Sequence, residues 1–140
     1  MTRILGIDYG DSRVGVAVSD ALGITAQGLE TIHHNGNDKI VLKRLEEIIE
    51  EYTVVTIAIG IPYKLNGDAA DRVEITKNFI HKLKCKFNTI DIKEIDERLT
   101  TVAAHKTMNY LNVNKHKKRG IVDTISAVYI LEMYMNKNKK

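Results

Sequence analysis

Three places in this chain hold acidic residues where an acid is costly or oddly placed. Carboxylates in such positions can bind metal ions or exchange protons. Asp8 interrupts the apolar run Ile4-Leu5-Gly6-Ile7-Asp8-Tyr9, and a carboxylate there needs a hydrogen-bond donor, a cation or a metal. Asp96-Glu97-Arg98 closes a second extended segment, and open α/β sheets place their chemistry at strand ends. Asp123 falls in the first turn of the most apolar helical stretch, Gly120 to Met135, with Ser126 and Ala127 along its face at i+3 and i+4. Small residues there let a helix approach a sheet closely and turn the acid inward. Lys117-Lys118-Arg119 comes just before, and an inward acid beside a basic loop suits a site where a metal meets a polyanion.

Each position also has a plainer explanation. Asp8 can cap the turn through Asp11, Asp96-Glu97-Arg98 can be a solvated turn, and an acid near a helix N-terminus is favoured by the helix dipole. Asp8-x-Gly10 between glycine-containing strands is also similar to the first phosphate loop of the actin and sugar-kinase ATPases. Those proteins close a second lobe over ATP, and 140 residues are too few to supply one.

The elements that must position these acids follow from periodicity. Residues 3–9 read as a buried strand. Residues 13–20 alternate, with Val14, Val16 and Val18 on one face and Gly15, Ala17 and Ser19 on the other. Gly10-Asp11-Ser12 is turn chemistry, so these two strands form a hairpin. If the small-residue face of the second strand coincides with the Ile4-Gly6-Asp8 face of the first, room remains beside Asp8 for an ion and a phosphate. Residues 27–33 predict a third strand, and Asn37 or Asp38 caps a helix to Tyr52 with Val41, Leu45, Ile48, Ile49 and Tyr52 as its apolar stripe. Thr53 to Gly60 is nearly all apolar, as a central parallel strand is. Ile61 to Gly67 is a loop, and residues 68–84 a helix. Residues 88–95 read as a strand, Thr100 or Thr101 begins a helix carrying Ala104, Met108 and Leu111, and residues 112–119 are a basic loop. The result is an α/β fold, a mixed five-stranded sheet with helices on both faces.

Composition narrows the classes. Hydrophobic residues make up 44% and charged residues 28% of the chain, which suits one globular domain over residues 1–140. The only cysteine, Cys85, falls in a predicted helix, so no internal disulfide forms. A net charge of +3 permits a polyanionic partner without demanding one. His33, His34, His81, His105 and His116 lack metal-ligand spacing, so zinc is not expected. No nucleotide-loop motif is present. Two Phe, six Tyr and no Trp give no evident stacking platform for single strands. The N-terminal residues lack a signal-peptide core and no apolar run reaches membrane-spanning length, so a cytoplasmic location without membrane partners is expected.

Four blocks carry a family resemblance. Ile7-Asp8-Tyr9-Gly10 through Arg13-Val14-Gly15-Val16-Ala17-Val18-Ser19-Asp20 resembles the opening motif of the YqgF/RuvX family. Ile59-Gly60-Ile61-Pro62 with Asn66-Gly67 resembles its middle loop, and Asp96-Glu97-Arg98-Leu99-Thr100-Thr101 its most distinctive motif. Lys118, Asp123 and the Ala127–Leu131 helix resemble its end. The departures are Tyr63 and Lys64 in the middle loop, and Gly120-Ile121-Val122 separating the basic charges from Asp123. The resemblance implies a ribonuclease H-like fold and a metal-dependent nuclease acting in 5′-end processing of pre-16S rRNA during ribosome biogenesis. A Holliday junction resolvase acting on DNA, or a non-catalytic nucleic-acid-binding assembly factor, are the alternatives. It further implies Asp8, Glu97 and Asp123 as catalytic acids holding Mg²⁺ or Mn²⁺, two ions in number, with Arg13, Arg98, Lys118 and Arg119 contacting substrate. The implied partners are an rRNA precursor or a DNA junction, and ribosomal particles.

Overall fold

The computed structural model describes residues 2–63, 70–99 and 119–137, with residues 70, 99 and 119–123 described by their backbone alone. Five strands, β1 (Arg3–Tyr9), β2 (Arg13–Ser19), β3 (Ala26–His33), β4 (Val54–Ile61) and β5 (Asp91–Asp96), form one sheet in the order β3-β2-β1-β4-β5. The first three are antiparallel neighbours, while β4 is parallel to both β1 and β5. The mixed sheet inferred from the sequence is therefore present.

Helices α1 (Asp38–Tyr52) and α2 (Ala70–Lys86) cover one face, and α3 (Arg119–Lys137) the other. Asn37 caps α1 by accepting the Lys39 N–H at 3.1 Å. Thr53 ends the helix in a left-handed conformation at φ 52°, its N–H donating to the Ile49 carbonyl. Leu5, Ile7, Val14, Val16, Ile57 and Ile59 meet Val41, Leu45, Ile48, Phe79 and Leu83 in the main core. β4 is an interior strand covered on both sides, which explains its nearly unbroken apolar sequence.

The two faces are built from residues of different size. On the α3 side, β1 contributes Gly6, β2 Ala17, β3 Gly28 and β4 Ala58, and these are register partners from strand to strand. A side chain on Gly6 would meet the Ala127 carbonyl at 2.6 Å, so β1 and the α3 backbone are in close approach. Ser126 and Ala127 are fully buried, as their small size suggested.

The boundary between the second helix and the last strand differs most from the sequence expectation. α2 runs on to Lys86, and Phe87 through Ile90 make a turn closed by the Ile90 N–H donating to the Phe87 carbonyl at 3.0 Å. Phe87 is core, packed at the end of α2, so β5 begins at Asp91 rather than residue 88. The helix expected from Thr100 or Thr101 and the loop over residues 112–118 lie outside the described residues.

Candidate active site

Asp8 lies near the C-terminal end of β1 with 5% of its surface exposed. Its register partner on β2 is Gly15. The small-residue faces of the two strands therefore coincide. Ile7 pairs with Ile59 of β4, and one step further in that register Asp8 lies beside Gly60. Gly60 in turn pairs with Ile95 of β5. Two residues after Ile95 the strand gives way to a single 3₁₀ turn, Glu97–Leu99, which the sequence pattern does not announce. Glu97 is 6% exposed, and its Oε2 lies 2.8 Å from the place a Gly60 Cβ would take. Asp8 and Glu97 thus stand on the α3 face from strands on either side of β4, and the Glu97 carboxylate fills the space that the missing Gly60 side chain leaves. Both residues engage in interactions within the fold.

The turn carrying Glu97 is held by its neighbour. Asp96 Oδ1 accepts the Arg98 backbone N–H at 2.9 Å. The Asp96 carboxylate also takes Nε at 3.1 Å and Nη2 at 2.7 Å from the Arg98 guanidinium. The hydrogen bond from the Arg98 side chain holds the Asp96 carboxyl below the usual carboxylate range, and the same bond raises the guanidinium. Arg98 also lies 5.1 Å from the centre of the Tyr63 ring, a cation–π contact. Lys77 lies 5.8 Å from the centre of the same ring and pairs with Glu94 at 3.8 Å. Arg98, expected as a substrate contact, is therefore already committed to Asp96 through two of its nitrogens.

The remaining expected residues are placed unevenly. Arg13 opens β2 opposite His33, directly after the hairpin turn, and has interactions of its own. α3 begins at Arg119, so Asp123 is its fifth residue rather than part of the first turn, and the dipole explanation weakens accordingly. Helical periodicity puts position 123 on the stripe of Ala127, which faces Gly6, and Ile130, whose Cδ1 faces Gly60. The side chains of Arg119 and Asp123, and all of Lys118, lie outside the described residues. No cluster of three or more potential metal-ligating side chains occurs among the described residues.

Sequence reasoning missed the support behind Asp8. The Tyr9 ring stacks between Phe79, 4.2 Å away, and His34, 5.6 Å away. Its hydroxyl donates to Asp38 Oδ1 at 2.5 Å, and Lys82 pairs with Oδ2 at 2.9 Å. Burial, with Asp38 second, pushes the Tyr9 hydroxyl well above its ordinary range, so it stays a donor. β3 ends at His33, where the sequence places the end of the third strand, and His34 is buried just beyond it. The dipeptide Asn35-Gly36, with φ values of 49° and 87°, is the turn signal that marks this end.

Solved structures share this architecture. Thermus thermophilus RuvC in complex with a Holliday junction superposes with a TM-score of 0.60 at 14% identity, covering 98% of this chain and 95% of that one. The fowlpox virus Holliday junction resolvase gives 0.53 at 13% identity, covering 96% and 99%. The fold is thus ribonuclease H-like. The family model described as RuvX, Holliday junction resolvase, matches residues 2–137. A protein of Ruminiclostridium cellulolyticum named "Putative pre-16S rRNA nuclease" is 53% identical over 141 residues, 99% of each chain. One of the same name from Acetivibrio thermocellus is 48% identical over 138 residues, 99% of this chain and 98% of its own. The chain belongs to the RuvX family.

Proposed function

We propose that this protein is a metal-dependent nuclease that hydrolyses phosphodiester bonds in the 5′-end processing of pre-16S rRNA, with Asp8, Glu97 and Asp123 as its catalytic acids. The observation that carries the reading is the pair of buried carboxylates, Asp8 and Glu97, set on one face across Gly60. Two nearly buried acids on a shared face favour positive charge between them. Their donors are all oxygen, the set that Mg²⁺ and Mn²⁺ prefer. The absent side chain of Gly60 lets the Glu97 carboxylate lie over β4 on the face of Asp8. The residues present therefore fit a divalent cation, held by Asp8 and Glu97 with Asp123 as the third ligand. The chemistry that two such cations supply when bound is activation of a water and stabilisation of the leaving oxygen.

The protein's own part is to bind and orient. Asp8 is fixed by its strand, Glu97 by the Asp96-held turn, and Arg13, Lys118 and Arg119 supply cations for the phosphate backbone of the substrate. Arg98, bound to Asp96, serves the geometry of Glu97 first and can offer a phosphate its Nη1 donors. The names of the relatives favour an rRNA precursor, and we propose that it is met on ribosomal particles in the cytoplasm. None of the described helices is long and apolar enough to cross a membrane. The family description favours a second substrate, a four-way DNA junction, for the same acids.

The test is cleavage of a labelled pre-16S rRNA fragment in Mn²⁺ or Mg²⁺ by wild type and Asp8→Asn. Metal-dependent cutting that the substitution abolishes is the expected result. Cutting of a four-way DNA junction but not of RNA would move the reading to a resolvase. Activity on neither substrate, in either metal, would leave a nucleic-acid-binding assembly factor.

A further inference from the structure

Asp8 owes its position to the chain that follows it, and that chain is clamped from behind. The β1–β2 turn is tight: the Gly10 N–H donates to the Arg13 carbonyl at 2.8 Å, and a side chain on Gly10 would strike that carbonyl at 2.6 Å. The segment after β3 folds back onto this turn. The His34 and Asn35 N–H groups both donate to the Ser12 carbonyl, at 2.9 and 3.3 Å.

The His34 ring completes the clamp. It is 2% exposed. Its Nδ1 accepts the Gly36 N–H at 3.0 Å, so the ring proton resides on Nε2 and is donated to the Gly10 carbonyl at 2.9 Å. The same ring stacks on Tyr9, the residue between Asp8 and Gly10. One neutral imidazole thus grips the two residues that follow the carboxylate, through a ring contact on Tyr9 and a hydrogen bond on Gly10. A buried leucine of similar size would supply the packing but neither hydrogen bond.

We propose that His34 is a positioning residue for Asp8, acting through the Gly10 carbonyl. The proposal rests on the nuclease reading above only for its activity arm. Two amide substitutions separate its two bonds. An asparagine side chain carries an oxygen near the place of Nδ1 and keeps the Gly36 bond, so of the two hydrogen bonds His34→Asn loses only the one to Gly10, and both amide variants lose the ring contact with Tyr9 alike. A glutamine amide reaches the place of Nε2, so His34→Gln keeps the Gly10 bond and loses the one to Gly36.

Two readouts decide it, with thermal melts of both variants as the folding control. In amide hydrogen exchange by NMR, the Gly10 N–H, which closes the turn on the Arg13 carbonyl, exchanges faster in His34→Asn as the turn loosens and stays protected in His34→Gln, while the Gly36 N–H, which donates to His34 itself, shows the reverse. In Mn²⁺-dependent cleavage of the rRNA fragment, His34→Asn loses roughly 10–100-fold in kcat with little change in KM, the scale seen when a supporting residue behind a ligand is removed. His34→Gln stays within about threefold of wild type, since its remaining bond is the one that matters to geometry. Equal losses in both variants, or an unchanged Gly10 amide in His34→Asn, would overturn the proposal. If wild type itself neither cuts RNA nor binds Mn²⁺, the nuclease reading falls, and the Gly10 amide still decides whether His34 holds the turn. Should His34→Asn fail to fold, the contrast between Gly10 and Gly36 exchange in His34→Gln decides the same question.

Discussion

Gly60→Ala is the sharpest probe of the space between the two acids. The added Cβ would lie 2.6 Å from Ile130 Cδ1, 2.8 Å from Glu97 Oε2 and 3.0 Å from Glu97 Cγ. All three separations are far inside van der Waals contact, so something must move. Ile130 Cδ1 is the far end of a flexible side chain and gives way at modest cost. Glu97 can yield only by moving its Cγ and carboxylate from the place they hold over Gly60. Overpacking by one methyl costs about 1–3 kcal/mol, which for a chain of this size is roughly 3–12 °C of melting temperature. Activity should fall far more, on the order of 100-fold, because displacing a reacting group by about 1 Å has that effect. The assay pairs thermal melts with metal-dependent RNA cleavage and Mn²⁺ titration, and adds the double variant Gly60→Ala with Ile130→Val. Valine lacks Cδ1, so the double variant relieves the helix contact and leaves the Glu97 contact. It should regain part of the stability and none of the cleavage. Wild-type cleavage by Gly60→Ala, or recovery of cleavage together with stability in the double variant, would refute the reasoning.

Two further substitutions test the surroundings. Asp96→Ala removes the acceptor of the Arg98 N–H and the guanidinium clamp. It should cost about 1 kcal/mol, as loss of a cap does, while cleavage drops roughly 10–100-fold, and Asp96→Asn, which retains an acceptor for the Arg98 N–H, should recover most of the turn. Asp20, in the β2–β3 turn, accepts the Ile24 N–H at 2.7 Å and the Thr25 N–H at 3.3 Å, and the Ile24 bond leads in holding its carboxyl below the usual range. A carboxyl depressed by folding stabilises fully above its unfolded value, about pH 3.9, and loses that contribution as pH falls through its folded value. Urea titrations between about pH 5 and about pH 2, which bracket that value, should show a flatter acid limb in Asp20→Asn than in wild type, and parallel limbs would remove Asp20 from the account.

The sheet was legible because its two faces obey different rules that both leave marks in sequence. Val14, Val16 and Val18 alternate since only one side of β2 meets the large core, and β4 reads as unbroken apolar since both its sides are covered. The start of α1 was legible to within a residue, its cap read as Asn37 or Asp38 and found at Asn37. What failed was the boundary at Phe87. An apolar aromatic after a helix reads as the start of a strand, yet it completes the core at the end of α2. Local pattern gives hydrophobicity, and only packing decides which element uses it.

The site was legible in a different degree. Asp8 was visible from local sequence, because a charge inside an apolar strand is costly wherever that strand lies. Glu97 stood out from Asp96 and Arg98 only through the family resemblance. Its distinction is physical but non-local: β5 ends on Asp96, the 3₁₀ turn carries residue 97 to the α3 face, and Gly60 of another strand leaves the space. Asp96 falls on the opposite side by strand parity and becomes the clamp, while the 3₁₀ turn that follows sets Glu97 on the α3 face. Gly60 and His34 carry no chemical signal of their own in sequence. One matters for the side chain it lacks, and the other for a carbonyl 24 positions away. Such residues become readable only when register is known. Substitutions at Gly60 and His34 therefore test the site more sharply than removal of the acids themselves. Loss of a ligand kills any metal site, whereas these two changes impair cleavage only if the chemistry uses this arrangement of strand, turn and glycine gap.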